Sequence, residues 1–206
     1  LASACCGNDN SYYELSEDKI WVRETLDPSF WSNEMSPQLS RLERVPLREC
    51  WKNEARDFTP WLAQEENISL LGAAIGMELE VKEQEASVGP FKADILCRNT
   101  DDEDELVLIE NQLEVTDHSH LGQLLTYSAG LKAVTLVWIA EKFTEEHRAA
   151  MDWLNERTDE DFNLFGLEIE LWRIGDGLPA PKFNLVVKPN DWTRRVREAS
   201  KARSSV

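Results

Sequence analysis

FKADILCRNTDDEDELVLIENQL, residues 91–113, decides how this chain folds. Two apolar runs, FKADILCR (91–98) and LVLIENQL (106–113), flank a polar, acidic stretch, NTDDEDE (99–105). Runs of that length, rich in Ile, Leu and Val and separated by turn-forming residues, read as the two strands of a hairpin. The first strand carries Asp94; the second carries Glu110 and Gln112. Side chains two apart on a strand share a face, so Glu110 and Gln112 point the same way, and the hairpin brings Asp94 toward them. Carboxylates set among Ile, Leu and Val are costly unless a cation neutralises them. A divalent ion, Mg²⁺ or Mn²⁺, meets that need: it is commonly held by one or two carboxylates, with water and phosphate oxygens completing the shell, and the backbone carbonyl of Asn111 offers one more oxygen. Such a centre polarises a phosphodiester and activates water. A satisfied polar network without metal is the alternative reading of the same three side chains.

Working outward, residues 77–88 alternate in part (Met77, Leu79, Val81) and Gly89-Pro90 makes a turn, which adds a strand before the hairpin. Further upstream, Phe58, Trp61, Leu62, Ile68, Leu71 and Ile75 recur at helical spacing. Asp57 is the expected N-cap, Pro60 falls in the first turn and Gly76 is the stop. Downstream, a helix capped by Asp117 or Ser119 runs to Leu131 with Leu121, Leu124, Leu125 and Ser128 as its buried face. AVTLVWIA (133–140) is apolar throughout, as expected of a parallel strand. A helix from Thr144 to Asn155 and strands at 165–174 and 183–188 follow. The order α-β-β-β-α-β, then α-β-β, predicts an α/β fold with a mixed sheet and helices on its faces. Residues 1–47, punctuated by Pro28, Pro37 and Pro46, read as an irregular extension with a short strand KIWVR (19–23), packed through Trp21, Phe30 and Trp31. Residues 48–192 form the domain and 193–206 a basic tail.

Composition narrows the function. The 206 residues hold 39 Asp+Glu against 22 Lys+Arg, a net charge of −17 that opposes nonspecific nucleic-acid binding. Residues 188–203 run the other way, with six basic side chains against two acidic, and suit either a grip on a phosphate backbone or an exposed linker. No apolar run approaches the ~20 residues of a membrane helix. The cysteines Cys5, Cys6, Cys50 and Cys97 show no CxxC spacing, which argues against a zinc site or a disulfide framework and fits a reducing cytoplasm. Cys97 and most of the eight tryptophans, Trp61, Trp138, Trp153 and Trp172 among them, are expected in the core. LASAC (1–5) has no charged or apolar leader before it, and a trimmed reading frame is the expectation.

Val88-Gly89-x4-Asp94-Ile95-Leu96, Ile109-Glu110-x-Gln112 and Gly122-Gln123-Leu124-Leu125-x-Tyr127 together resemble the PD-(D/E)XK nuclease superfamily over about residues 50–140. Over a longer stretch, to about Trp192, DFTPWL, IENQLExTDHxHLGQLLTY and LWRI are similar to uncharacterised bacterial proteins of a family of unknown function, many of which carry a further C-terminal domain. The resemblance implies a restriction-endonuclease-like αβββαβ core. It implies Mg²⁺ or Mn²⁺ held by Asp94 and Glu110, with Gln112 standing where the family has lysine. A glutamine can hydrogen-bond the attacking water but brings no charge. Ala93, where the family often has proline, is a minor departure. Gln123 and Tyr127 match an element thought to hold DNA. The first helix is expected to add an acidic group, Glu54 first, with Asp57 and Glu65 behind it, and Glu85 is a further rim carboxylate. His118 and His120 flank a helix start, where they either assist as phosphate donors or proton shuttles or simply cap and pack; His147 is expected to be structural. The activity implied is hydrolysis of DNA phosphodiesters to 5′-phosphate and 3′-hydroxyl ends in restriction, phage defence or repair, with DNA as partner and a homodimer where two strands are cut. The alternative is an inactive module of the same fold that binds nucleic acid or a protein partner, or a regulatory domain joined to a larger system.

Overall fold

A computed structural model of the chain describes residues 39–101, 105–133, 135–158 and 162–189. Four short helical pieces come first: α1 (Leu47–Cys50), a π-helical turn (Glu54–Phe58), α2 (Thr59–Leu62) and α3 (Glu65–Ile75). They are preceded by strand β1 (Leu42–Val45) and followed by β2 (Leu79–Val88), β3 (Phe91–Asn99) and β4 (Leu106–Val115), an antiparallel meander. Helix α4 (His118–Leu131) crosses to β5 (Thr135–Lys142), and α5 (Glu145–Arg157) crosses to β6 (Asn163–Ile174). β4, β5 and β6 are parallel, and β7 (Ala180–Val187) returns antiparallel to β6. The described strands make one seven-stranded mixed sheet in the order β1-β6-β5-β4-β3-β2, with β7 on β6. The α-β-β-β-α-β order expected from the sequence is therefore present. Among the described residues no helix is long and apolar enough to cross a membrane.

Side-chain alternation divides the core into two layers. Val107, Ile109, Val137 and Ile139 pack with Phe58, Leu62, Leu71 and Ile75 under the first helices. Leu108, Leu136, Trp138 and Ala140 pack with Leu124, Tyr127 and Met151 of α4 and α5 on the opposite side. Each such side chain removed from water contributes about 1.5–3 kcal/mol, so both faces of the central strands must be covered, as their unbroken apolar sequence requires.

Several expectations are corrected. Residues 42–45, read as part of an irregular extension, form β1, because β5 covers β6 only as far as Glu168 and Leu171–Ile174 take β1 as their partner. Asp57 is not the first N-cap. Asn53 caps the turn by accepting from the Arg56 N–H, and Asp57 Oδ2 accepts from the Asn53 N–H at 2.8 Å, a reciprocal pair at the start of the helix. The helix expected to be continuous to Ile75 breaks at Ala63 and restarts after Gln64, ending at Gly76 with φ 73°. On α4 the buried side chains are Leu124, Tyr127 and Ser128, with Leu121 and Leu125 half-buried, and Asp117 rather than Ser119 is the cap. Trp153 is not core but 56% exposed. The strand expected at 19–23, Trp21, Phe30, Trp31, Cys5, Cys6, residues 102–104 of the acidic hairpin tip and the tail 193–206 lie outside the described residues.

Candidate active site

β3 and β4 pair only from Arg98↔Leu106 to Ile95↔Ile109, and then part. The next pair in that register is Asp94 and Glu110. Beyond it, the β3-side edge of β4 has lost its strand partner, and side-chain carboxylates replace the ladder. Asp94 Oδ2 accepts from the Asn111 N–H at 2.8 Å, and Glu54 Oε2 accepts from the Leu113 N–H at 2.6 Å. Burial raises the Glu110 carboxyl pKa, and the backbone N–H of Asp94 opposes that rise. The parting leaves a slot where the charge of Glu54, from the π-helical turn on one face, acts on Asp94 and Glu110. On the other face burial pushes the hydroxyl pKa of Tyr127 on α4 up, and the charges of Glu110 and Asp94 add to the rise. Asn111 points into the first layer and fixes the turn by donating to Thr59 Oγ1 at 3.0 Å.

The electrostatics are those of crowded acids. Burial raises the Glu110 carboxyl to about 9, and the charges of Asp94, Glu54 and Glu85 push it the same way. Burial raises Asp94 to about 6; the Asn111 N–H opposes the rise, and the charges of Glu54 and Glu85 add to it. Glu54 is raised by burial too, against the Leu113 N–H and the charges of His120 and Arg48. Glu110 is 3% exposed, and its Oε1 has no hydrogen-bond partner. A buried, unpartnered carboxylate oxygen facing a second carboxylate fits a hard divalent cation, which takes two such ligands and fills its shell with water. Among the described residues no three His, Cys, Asp or Glu side chains gather into a ready-made cage, so Asp94 and Glu110 are the fitting pair and Glu54 stays on its amide.

Gln112 is buried, with its Oε1 lacking a hydrogen-bond partner and its amide nitrogen engaged. Its Nε2 donates to Val115 O at 2.9 Å and Asp117 Oδ2 at 3.0 Å. Of the two expected histidines, His120 stays with the site: its ring Nδ1 meets Asp117 Oδ1 at 3.0 Å and its charge acts on Glu54 and Asp94. His118 turns away, with Nδ1 2.8 Å from His147 Nε2. His147 is buried and bonded to Thr116 and Thr144 Oγ1, a packing role, and burial and the His118 charge lower its pKa. Tyr127 lies in the core, 5% exposed, whereas Gln123 is exposed on α4. Glu85 sits at the strand edge at φ 54°, exposed and 3.8 Å from Lys92 Nζ. Asp57 is taken by the Asn53 N–H, and Glu65 lines a shallow depression with Gln64, Glu66 and Ser69, away from the slot.

Arg48 has no motif to announce it. Its Nη2 donates to Leu113 O at 3.3 Å and meets Glu114 Oε1 at 3.2 Å. Arg48 and Glu54 therefore hold Leu113 by its carbonyl and its amide. Only the basic character of RLERVPLRECWKNEAR (41–56) within an acidic chain hints at such a residue.

No family model matches the chain, and no curated protein sequence matches it. A solved structure to which it is similar is the crystal structure of a repair endonuclease from Pyrococcus abyssi, with a TM-score of 0.43 and 13% identity. The alignment covers 81% of this chain, which spans 65% of the length of that one.

Proposed function

We propose that this chain is a metal-dependent nuclease that hydrolyses DNA phosphodiesters, with Asp94 and Glu110 as the residues that hold Mg²⁺ or Mn²⁺. The observation that carries the reading is the opposition of these two carboxylates where β3 and β4 part, with a buried Glu110 oxygen that nothing else satisfies. A divalent ion there supplies Lewis-acid polarisation of the phosphate and a lowered pKa for water. The chain's own groups do the rest. The Asn111 and Leu113 amides lock Asp94 and Glu54 in place, and Arg48, half-exposed at the rim, offers a guanidinium to a phosphate oxygen. The products expected from the family resemblance are 5′-phosphate and 3′-hydroxyl ends, in restriction, phage defence or repair. The test is cleavage of linear and circular DNA with Mn²⁺ in excess over protein by wild type, Asp94→Ala, Glu110→Ala and the double variant. Cleavage confined to the wild type supports the reading; cleavage that survives in the purified double variant rejects it.

A second reading is favoured by Gln112. With its amide hydrogens held by Val115 and Asp117 and no lysine at the position, the same fold could bind nucleic acid or a protein partner without cutting. That reading expects no heat of Mn²⁺ binding in calorimetry.

A further inference from the structure

Three side chains join end to end beside the carboxylates. Gln112 Nε2 donates to Asp117 Oδ2 at 3.0 Å, and Asp117 Oδ1 accepts from both the His120 backbone N–H, at 2.9 Å, and its ring Nδ1, at 3.0 Å. Gln112 is immobilised, 4% exposed and anchored to Val115 O. Asp117 is the N-cap of α4, and the cap bond favours this rotamer. The imidazole is thus held at its own backbone and at one ring nitrogen. An ionised carboxylate only accepts, so it places the neutral ring's proton on Nδ1 and leaves Nε2 as the basic nitrogen. The side chain is 26% exposed, enough for a water to reach it, and once protonated its charge is felt by Glu54 and Asp94.

We propose that His120 is the proton acceptor for the attacking water, oriented by Asp117, which Gln112 braces. The inference rests on the nuclease reading and deepens it. As the water oxygen bonds to phosphorus, its proton passes to Nε2. The P–O3′ bond breaks with its electron pair on O3′, which takes a proton from solvent water. The imidazolium returns its proton to solvent, so one water is consumed per bond and nothing is oxidised or reduced. The Asp117 carboxylate, half-exposed, orients the ring and stabilises the imidazolium through the Nδ1 bond, with more solvent screening than a buried aspartate gives. Gln112 is then a positioning residue, acting two bonds away from the water rather than on it.

The experiment compares DNA cleavage with Mn²⁺ by wild type, His120→Ala, His120→Gln, Asp117→Asn and Glu110→Ala, each with and without added imidazole, after circular dichroism has established folding. General-base loss predicts a fall in kcat of about 10²- to 10⁴-fold for His120→Ala with KM little changed. Imidazole restores part of that rate in proportion to its concentration and restores nothing in Glu110→Ala. His120→Gln, which keeps a polar contact to Asp117, stays slow, and Asp117→Asn is slower than wild type in kcat. A folded His120→Ala or His120→Gln protein that cleaves at the wild-type rate, or a slow His120→Ala that imidazole does not rescue, overturns the assignment while leaving the nuclease reading intact. A wild type that does not cleave overturns both.

Discussion

Asp94 and Glu110 lie one step past the last paired residues of β3 and β4, Ile95 and Ile109, and Asp94 reaches across to the strand that carries Glu110, accepting the Asn111 N–H at 2.8 Å. Two acidic groups are therefore held close by the main chain, and neither has an ion-pair partner of its own among the described residues. The backbone pays for a geometry that the side chains alone would repel.

That geometry sets the pH dependence of stability without metal. Both carboxyls titrate higher in the folded chain, toward about 6 for Asp94 and about 9 for Glu110, than their ordinary values of 3.8 and 4.5. The folded state therefore binds more protons over that span. The stabilisation is full below the ordinary values and is lost as pH rises, first through the Asp94 range and then through the Glu110 range. The melting temperature of metal-free protein is expected to fall from pH 5 to pH 9, and the fall is expected to flatten in Glu110→Gln. A flat wild-type profile measured by calorimetry would contradict the burial of these acids.

Divalent ions should reverse that trend. At pH 8, Mn²⁺ at about 100 times its dissociation constant stabilises by about 2.7 kcal/mol, a shift of several degrees for a domain of this size. The shift should vanish in Asp94→Ala and Glu110→Ala and survive in Glu65→Ala, which lies away from the slot. Thermal melts with and without Mn²⁺ give the answer.

Asp117 has a structural share separable from its share in any proton transfer. Asp117→Ala removes the α4 cap and one acceptor of the buried Gln112 amide, a loss of about 1–2 kcal/mol. Asp117→Asn keeps an oxygen for the cap and is expected to cost about half as much or less. Urea denaturation distinguishes the two; equal losses would mean that the cap matters little.

Arg48→Ala is expected to weaken DNA binding at low salt and to lower the slope of log K against log salt by about one, because one guanidinium is removed from the rim beside Glu54. The side chain is half-exposed, so folding stability should change by about 1 kcal/mol or less. A salt slope that stays unchanged would remove Arg48 from the binding surface.

Much of this was legible before any coordinates. Residues 91–98 and 106–113 had to be paired strands because their apolar runs are bounded by turn-forming residues, and the carboxylates within them could only be costly or functional. The break at Ala63 was not legible, because Phe58, Trp61 and Ile68 keep helical spacing across it. Nor was β1, whose LERV has one buried side chain, Val45, in four. Tyr127 looked spare beside Leu124 and Leu125, yet helix rotation set by packing buries it instead of Leu125.

The amino-acid order by itself determined the αβββαβ succession, the placing of Asp94 and Glu110 on neighbouring strands and a start of α4 at Asp117 or Ser119, since each follows from local spacing and short-range hydrogen bonding. Only the tertiary structure decided that β3 and β4 part at Ile95 and Ile109, that Glu54 and not Asp57 reaches the gap, that Gln112 turns to Asp117, and that His120 stays while His118 leaves for His147. Those choices depend on how two helical layers close on opposite faces of one sheet, where contacts between residues 17 to 59 positions apart outweigh anything a local pattern can express.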